Sequence, residues 1–173
     1  MTFVNVKRDG YKTNDKIYTP DFIAKKIISL LPLKEDDFIL DPFKGGGVFY
    51  DNFPTDKKDW CEIDEGKNFF NYNKKVDWII SNPPYSLYNE VMKHSYELAD
   101  NICYLIPFNK TANSFSRLVD MFQYGGIKHI WFVKSSICGF PFGFPSGIVW
   151  FQKGYKGETK MELLCLDNEE VLI

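Results

Sequence analysis

The run Val76-Asp77-Trp78-Ile79-Ile80-Ser81 is halted by Asn82-Pro83-Pro84-Tyr85, and this junction narrows the architectures open to the whole chain. A β-branched and aromatic run of this kind reads as a buried strand. Two adjacent prolines lack N–H donors and fix φ, so neither ladder nor helix continues through them, and Asn82 is held at the strand end in an extended turn. In an open α/β sheet, ligands sit just beyond the carboxyl ends of the strands. A carboxamide, proline carbonyls and an aromatic ring placed there suit the grip of a planar, amino-bearing group. The amide oxygen accepts from an NH2, and the Tyr85 ring stacks on a flat substrate. Taken alone, the tetrapeptide also reads as a rigid turn leaving a strand.

The flanking sequence alternates strand and helix signals. Thr19-Pro20 reads as a helix start with Thr19 as N-cap and Pro20 in the first helical position, followed by Ile23, Ile27, Leu30 and Leu31 at helical spacing until Pro32. Phe38–Asp41 and Asp59–Ile63 read as short strands, and Val48-Phe49-Tyr50 as the opening of a short helix. Beyond Tyr85, helices are expected over Leu87–Leu98 and over Phe115–Tyr124, the latter stopped by Gly125-Gly126. Strands are expected over Ile102–Pro107, Ile127–Val133 and Ile148–Phe151, with a last edge strand from Met161 to Leu166. Such alternation in 173 residues predicts a single α/β domain, with 1–17 as an irregular lead-in and 154–173 as a C-terminal edge extension.

Hydrophobic residues make up 45% of the chain and charged residues 25%, the profile of a soluble globular protein. No apolar run approaches the ~20 residues of a membrane span, and the first ten residues do not resemble a signal peptide. Cys61, Cys103, Cys138 and Cys165 are widely spaced, which favours reduced thiols in a cytoplasmic setting over a disulfide frame or a zinc site. A net charge of −2 argues against a dedicated high-affinity nucleic-acid binder. Residues 1–34 nevertheless carry seven basic side chains against three acidic ones, a face suited to a phosphate backbone or simply to water.

Two further stretches could hold a ligand. Asp41-Pro42-Phe43-Lys44-Gly45-Gly46-Gly47 follows a strand, and its glycines either let the backbone approach a ligand closely or form a flexible loop. Glu62 ends the next strand, where α/β cofactor folds bind ribose hydroxyls. Asn68-Phe69-Phe70 offers a polar contact and apolar cover for a purine ring, although both phenylalanines also suit plain core packing.

Taken in order, these pieces resemble the S-adenosylmethionine-dependent N6-adenine DNA methyltransferases, with the motif order of their gamma group and of small phage-borne enzymes. Tyr18-Thr19-Pro20 looks like the leading motif that contacts the methionine end of the cofactor. Asp41, Pro42, Phe43, Gly45 and Gly47 match the Asp-Pro-Phe-x-Gly-x-Gly loop. Glu62 is similar to the ribose-binding acid, and Asn68 with Phe69 resembles the pair that meets the cofactor adenine. Asn82-Pro83-Pro84-Tyr85 matches the catalytic motif, whose Asn82 also borders the cofactor. Phe142 and Phe144, in Phe142-Gly143-Phe144-Pro145, look like the late loop beside the substrate base, so that Tyr85, Phe142 and Phe144 would bind the base.

The resemblance implies a reduced Rossmann-like methyltransferase sheet flanked by helices. It implies S-adenosylmethionine as cofactor, S-adenosylhomocysteine as product, no metal, and DNA with a flipped adenine as substrate. Self-marking of phage or plasmid DNA against restriction would be the setting. The sequence departs from the pattern at Asn68, where the family usually has Asp, and at Lys44, where small or neutral residues are common. About 20 residues follow the last clear sheet strand. That length leaves no room for a separate target-recognition domain and points to a partner subunit or a homodimer. RNA adenine or a protein glutamine poses the same chemical problem as DNA adenine, and a catalytically silent cofactor-binding subunit is the remaining alternative.

Overall fold

The computed structural model describes residues 17–141, 143 and 145–165. Its elements run α1 (Asp21–Leu30), β1 (Ile39–Asp41), β2 (Lys58–Trp60), β3 (Val76–Ser81), α2 (Tyr88–Leu98), β4 (Ala99–Pro107), α3 (Phe115–Tyr124), β5 (Gly125–Val133), β6 (Ser146–Lys153) and β7 (Lys160–Leu163). The strands form one seven-stranded sheet in the order β2-β1-β3-β4-β6-β5-β7. Every adjacent pair is parallel except the two that involve β6, which runs against both β4 and β5.

The period-two alternation of the strands sends side chains into two separate cores. Ile39, Trp78, Ile80, Cys103, Leu105 and Ile148 face one way, under Ile23, Ala24 and Ile27 of α1. Leu40, Ile79, Ile102, Tyr104, Ile106 and Val149 face the other way, under Val91 and Met92 of α2. Both faces of the central strands are therefore covered, which explains why β3 and β4 read as continuous apolar runs. Three of the four cysteines are buried and none of the four is paired. Among the described residues, no helix is long and apolar enough to cross a membrane.

Several boundaries differ from those read in the sequence. The N-cap of α1 is Pro20 itself, in an extended conformation, and no side chain caps the helix. Thr19 is not the cap, because the extended Pro20 between it and Asp21 takes that place. Leu31 is extended because Pro32 follows it. Val48 and Phe49 open no α-helix; only a 3-10 turn forms, over Tyr50–Asn52. β2 is three residues long and ends at Trp60, where Cys61 turns its N–H to the Asp41 carbonyl at 2.9 Å. α3 does stop at Gly125, although not through a left-handed cap, since φ there is 171°. Gly125 instead starts β5 so close to β6 that a Cβ on it would lie 2.0 Å from the Gln152 carbonyl oxygen.

Candidate active site

The carboxyl ends of β1, β2 and β3 bring the three sequence motifs to one edge of the sheet. At the end of β1, Asp41 is fully buried. Its Oδ1 accepts from Ser81 Oγ at 2.7 Å and from the Phe43 N–H at 3.2 Å. Its Oδ2 is buried without a partner of hydrogen-bond geometry. Burial pushes the carboxyl up to about 7, against the opposing pull of the Ser81 hydroxyl and the Phe43 and Tyr50 N–H groups. Ser81 thus ties the end of β3 to the end of β1. The sequence reading missed it, although its place immediately before Asn82 is a usable signal.

The following loop turns through Gly45 and Gly47, whose φ angles of 50° and 86° place both in the left-handed region. Glu62 anchors this loop. Its Oε2 accepts from the Gly45 N–H at 2.9 Å, while Oε1 accepts from the Asp64 N–H at 3.2 Å and caps the 3-10 turn Ile63–Glu65. Each carboxylate oxygen keeps a lone pair for a further donor. The Tyr18 ring lies beside the glycines, 3.7 Å from where a Cβ on Gly45 would be, and is itself 69% exposed. Lys44 turns away from this cradle, with its ammonium 3.1 Å from Glu65 and 4.1 Å from the centroid of a Trp60 ring.

Asn68 caps the 3-10 turn Phe69–Asn71 by accepting from the Phe70 N–H at 3.0 Å. Phe69 is buried and packs edge-on against Phe43 at 5.3 Å and His94 at 4.8 Å. His94 is fastened beside it by Nε2, 3.0 Å from both the Phe69 and the Tyr72 carbonyls. Phe69 therefore builds the wall of the cradle as a member of the core; the sequence pattern allowed either role.

Asn82 sits at the end of β3 with Pro83 and Pro84 buried behind it. Its Nδ2 donates to the Ile17 carbonyl at 3.3 Å and to Thr19 Oγ1 at 3.2 Å. Its Oδ1 accepts from the Tyr85 hydroxyl at 2.7 Å. The leading motif and the catalytic-type motif, 63 positions apart, are thus in direct contact. The Tyr85 ring meets Phe140 edge-on at 5.7 Å, an aromatic that the sequence reading did not single out. Phe142 and Phe144 lie outside the described residues. Among the described residues, no group of three or more His, Cys, Asp or Glu side chains comes together.

This arrangement offers a glycine-lined backbone cradle, a carboxylate with spare lone pairs, a buried carboxyl with one unmatched oxygen, and a carboxamide at the strand end. Neither a protein-family model nor a curated protein matches the sequence. Solved structures do match the fold. A Listeria monocytogenes protein assigned to the class I S-adenosylmethionine-dependent methyltransferases aligns with a TM-score of 0.69 at 14% identity, over 88% of this chain and 67% of its own. The M protein of the Type I restriction enzyme EcoKI aligns at 0.63 and 14% identity, over 79% of this chain and 44% of its own. A Pyrococcus horikoshii protein assigned as an RNA methyltransferase aligns at 0.62 and 18% identity, over 83% of this chain and 92% of its own. The fold is that of the Rossmann-like methyltransferases, as the motif order implied. This chain spans less than half the length of the restriction-enzyme subunit it matches.

Proposed function

We propose that the chain transfers a methyl group from S-adenosylmethionine to the exocyclic N6 amino group of adenine in DNA. The observation that carries this reading is the placement of Asn82: a carboxamide oxygen at a strand end, beside a glycine cradle. The fold of the aligned methyltransferases supports the choice of cofactor.

The cradle fits that cofactor on its own chemistry. The backbone of Gly45–Gly47 admits close approach, Glu62 offers acceptors to ribose hydroxyls, and the unmatched Asp41 oxygen faces a donor deficit that a bound ligand or water would fill. Phe43, Phe69 and Asn68 would border the adenine, and Tyr18 and Pro20 the methionine end. When bound, S-adenosylmethionine would supply an electrophilic sulfonium methyl; the sulfur would keep the electrons of the broken C–S bond and leave as S-adenosylhomocysteine, and the methylated nitrogen would release one proton to water.

The exocyclic nitrogen of adenine is a poor nucleophile because its lone pair is delocalised into the ring. Acceptance of its two hydrogens by Asn82 Oδ1 and the Pro83 carbonyl draws the nitrogen toward a pyramidal shape and frees that lone pair. Fixed acceptors of this kind are typically worth ~3 kcal/mol in a barrier. Tyr85 stacks on the base, which a duplex must flip out to deliver.

The test is transfer of labelled methyl to unmethylated duplex DNA, single-stranded DNA and RNA, with Asn82→Ala as control. Label recovered as N6-methyladenine in DNA, lost in Asn82→Ala while the cofactor still binds, is the expected result. Retained turnover in that variant overturns the mechanism, and label confined to RNA moves the substrate. RNA is the second reading because the aligned Pyrococcus protein shares this chain's compact size, with 92% of it covered.

A further inference from the structure

We infer that Thr19 is a positioning residue for Asn82: its buried hydroxyl, together with the Ile17 carbonyl, holds the carboxamide so that its oxygen is left for the substrate's amino group. This inference rests on the methyl-transfer reading above. It also changes the role that the sequence resemblance implies for Thr19, from a contact with the cofactor to a contact with the catalytic side chain.

A primary amide is nearly symmetric in shape, and rotation about its last side-chain bond exchanges an acceptor for a donor at little steric cost. An amino substrate requires the acceptor, because the flipped amide would present N–H to N–H. The structure breaks this near-symmetry. A carbonyl has no proton, so the amide atom facing Ile17 at 3.3 Å must be the nitrogen. The second N–H goes to Thr19 Oγ1 at 3.2 Å, and both amide hydrogens are then used. The only polar atom of the carboxamide left for substrate is Oδ1, which the Tyr85 hydroxyl reaches from the other side.

Thr19 is placed for this task by its surroundings. It is 6% exposed, and the extended Pro20 keeps it out of α1, so its hydroxyl is not drawn into capping. The residue that ends the turn Ser135–Cys138 also lies against this segment, since a Cβ on Gly139 would be 3.2 Å from the Tyr18 carbonyl oxygen. The segment 17–20 is therefore in contact with both that turn and Asn82. The same geometry specifies Asn rather than Asp at position 82. A carboxylate there would set an oxygen against the Ile17 carbonyl, with no hydrogen between them.

The experiment uses the full chain with Thr19→Val, Thr19→Ser and Asn82→Asp. Three quantities are read: hydrogen exchange of the Asn82 side-chain NH2 by NMR, assigned as the pair lost in Asn82→Ala; cofactor affinity by calorimetry; and kcat and KM for DNA methylation. In Thr19→Val, loss of one buried acceptor is expected to speed NH2 exchange and lower kcat by about tenfold each. Cofactor affinity should stay within about twofold, and Thr19→Ser should restore both quantities. Asn82→Asp should bind cofactor and turn over no substrate. Unchanged exchange and kcat in Thr19→Val overturn the inference. So does a weakened cofactor affinity at unchanged kcat, which would return Thr19 to the cofactor. If the wild type methylates no nucleic acid, the exchange measurement alone decides the Asn82 contact, and the functional reading falls separately.

Discussion

The Tyr85 hydroxyl donates to Oδ1 of Asn82 at 2.7 Å, so the two polar tips of one tetrapeptide satisfy each other. The oxygen assigned to the substrate amine thus already holds a hydrogen. Tyr85 must loosen its grip, or share the second lone pair, when a base enters.

Tyr85→Phe keeps the ring for stacking and removes the competing donor. A neutral hydrogen bond contributes a net ~1 kcal/mol, so KM for the methyl acceptor should fall by up to about fivefold with kcat retained. Tyr85→Ala should lose turnover. Steady-state kinetics on a single-stranded acceptor checks both. A tenfold or larger drop in kcat for Tyr85→Phe would mean that the hydroxyl itself serves the reaction.

Asp41 gives a stability profile with a definite sign. Burial raises its folded value from 3.8 to about 7, so between those limits the folded chain keeps a proton that the unfolded chain has lost. Stability from this group is fully present below about pH 4, falls as pH rises, and is lost above about pH 7, a swing on the order of 4 kcal/mol. In Asp41→Asn that slope should vanish, so the wild type loses ground to the variant from pH 4 to pH 8. Urea unfolding of both chains across this range is the measurement, and parallel profiles would refute the assignment.

Glu62 joins the glycine loop to the end of β2 through the Gly45 and Asp64 N–H groups. Glu62→Gln keeps one acceptor oxygen and removes the charge. Charge-assisted bonds are worth ~1.5–3 kcal/mol, so cofactor affinity should weaken by about 10- to 100-fold with only a small change in melting temperature. Calorimetric titration decides it, and an unchanged Kd would remove Glu62 from the cofactor site.

Gly125 tests the fold independently of any ligand. A methyl group there would overlap the Gln152 carbonyl, which is backbone and cannot swing aside. Gly125→Ala should cost roughly 1–3 kcal/mol as the first pairs of β5 and β6 separate. Chemical denaturation would show it, and full stability in the variant would mean that the strand start shifts freely.

The parts of this architecture that were legible in the sequence are those set by local chemistry. β3 ends where two prolines forbid further pairing, and α3 spans Phe115–Tyr124 as its pattern indicated. What local chemistry does not encode was misread or missed. The Thr19-Pro20 pair carries the usual signature of a capped helix, yet the Thr19 hydroxyl is captured by an amide 63 positions away. The antiparallel insertion of β6 between β4 and β5 depends on long-range pairing that no window of sequence records. Phe140 stands just ahead of the Phe142-Gly143-Phe144-Pro145 stretch that the sequence singles out, and only the folded chain sets its ring against Tyr85.

The reversed direction of β6 also divides the molecule into a working rim and a service rim. Ser146 pairs with Pro107 at the carboxyl end of β4, so β6 starts on the rim that carries Asn82 and finishes at Lys153 on the opposite one. The connection 154–159 therefore leaves β6 on that opposite rim and leads to β7, the edge strand four positions from β3 in the sheet. An affinity tag, a fluorophore or a grafted DNA-reading module inserted there would be carried without crowding the cradle. That connection is a natural attachment point on this small scaffold.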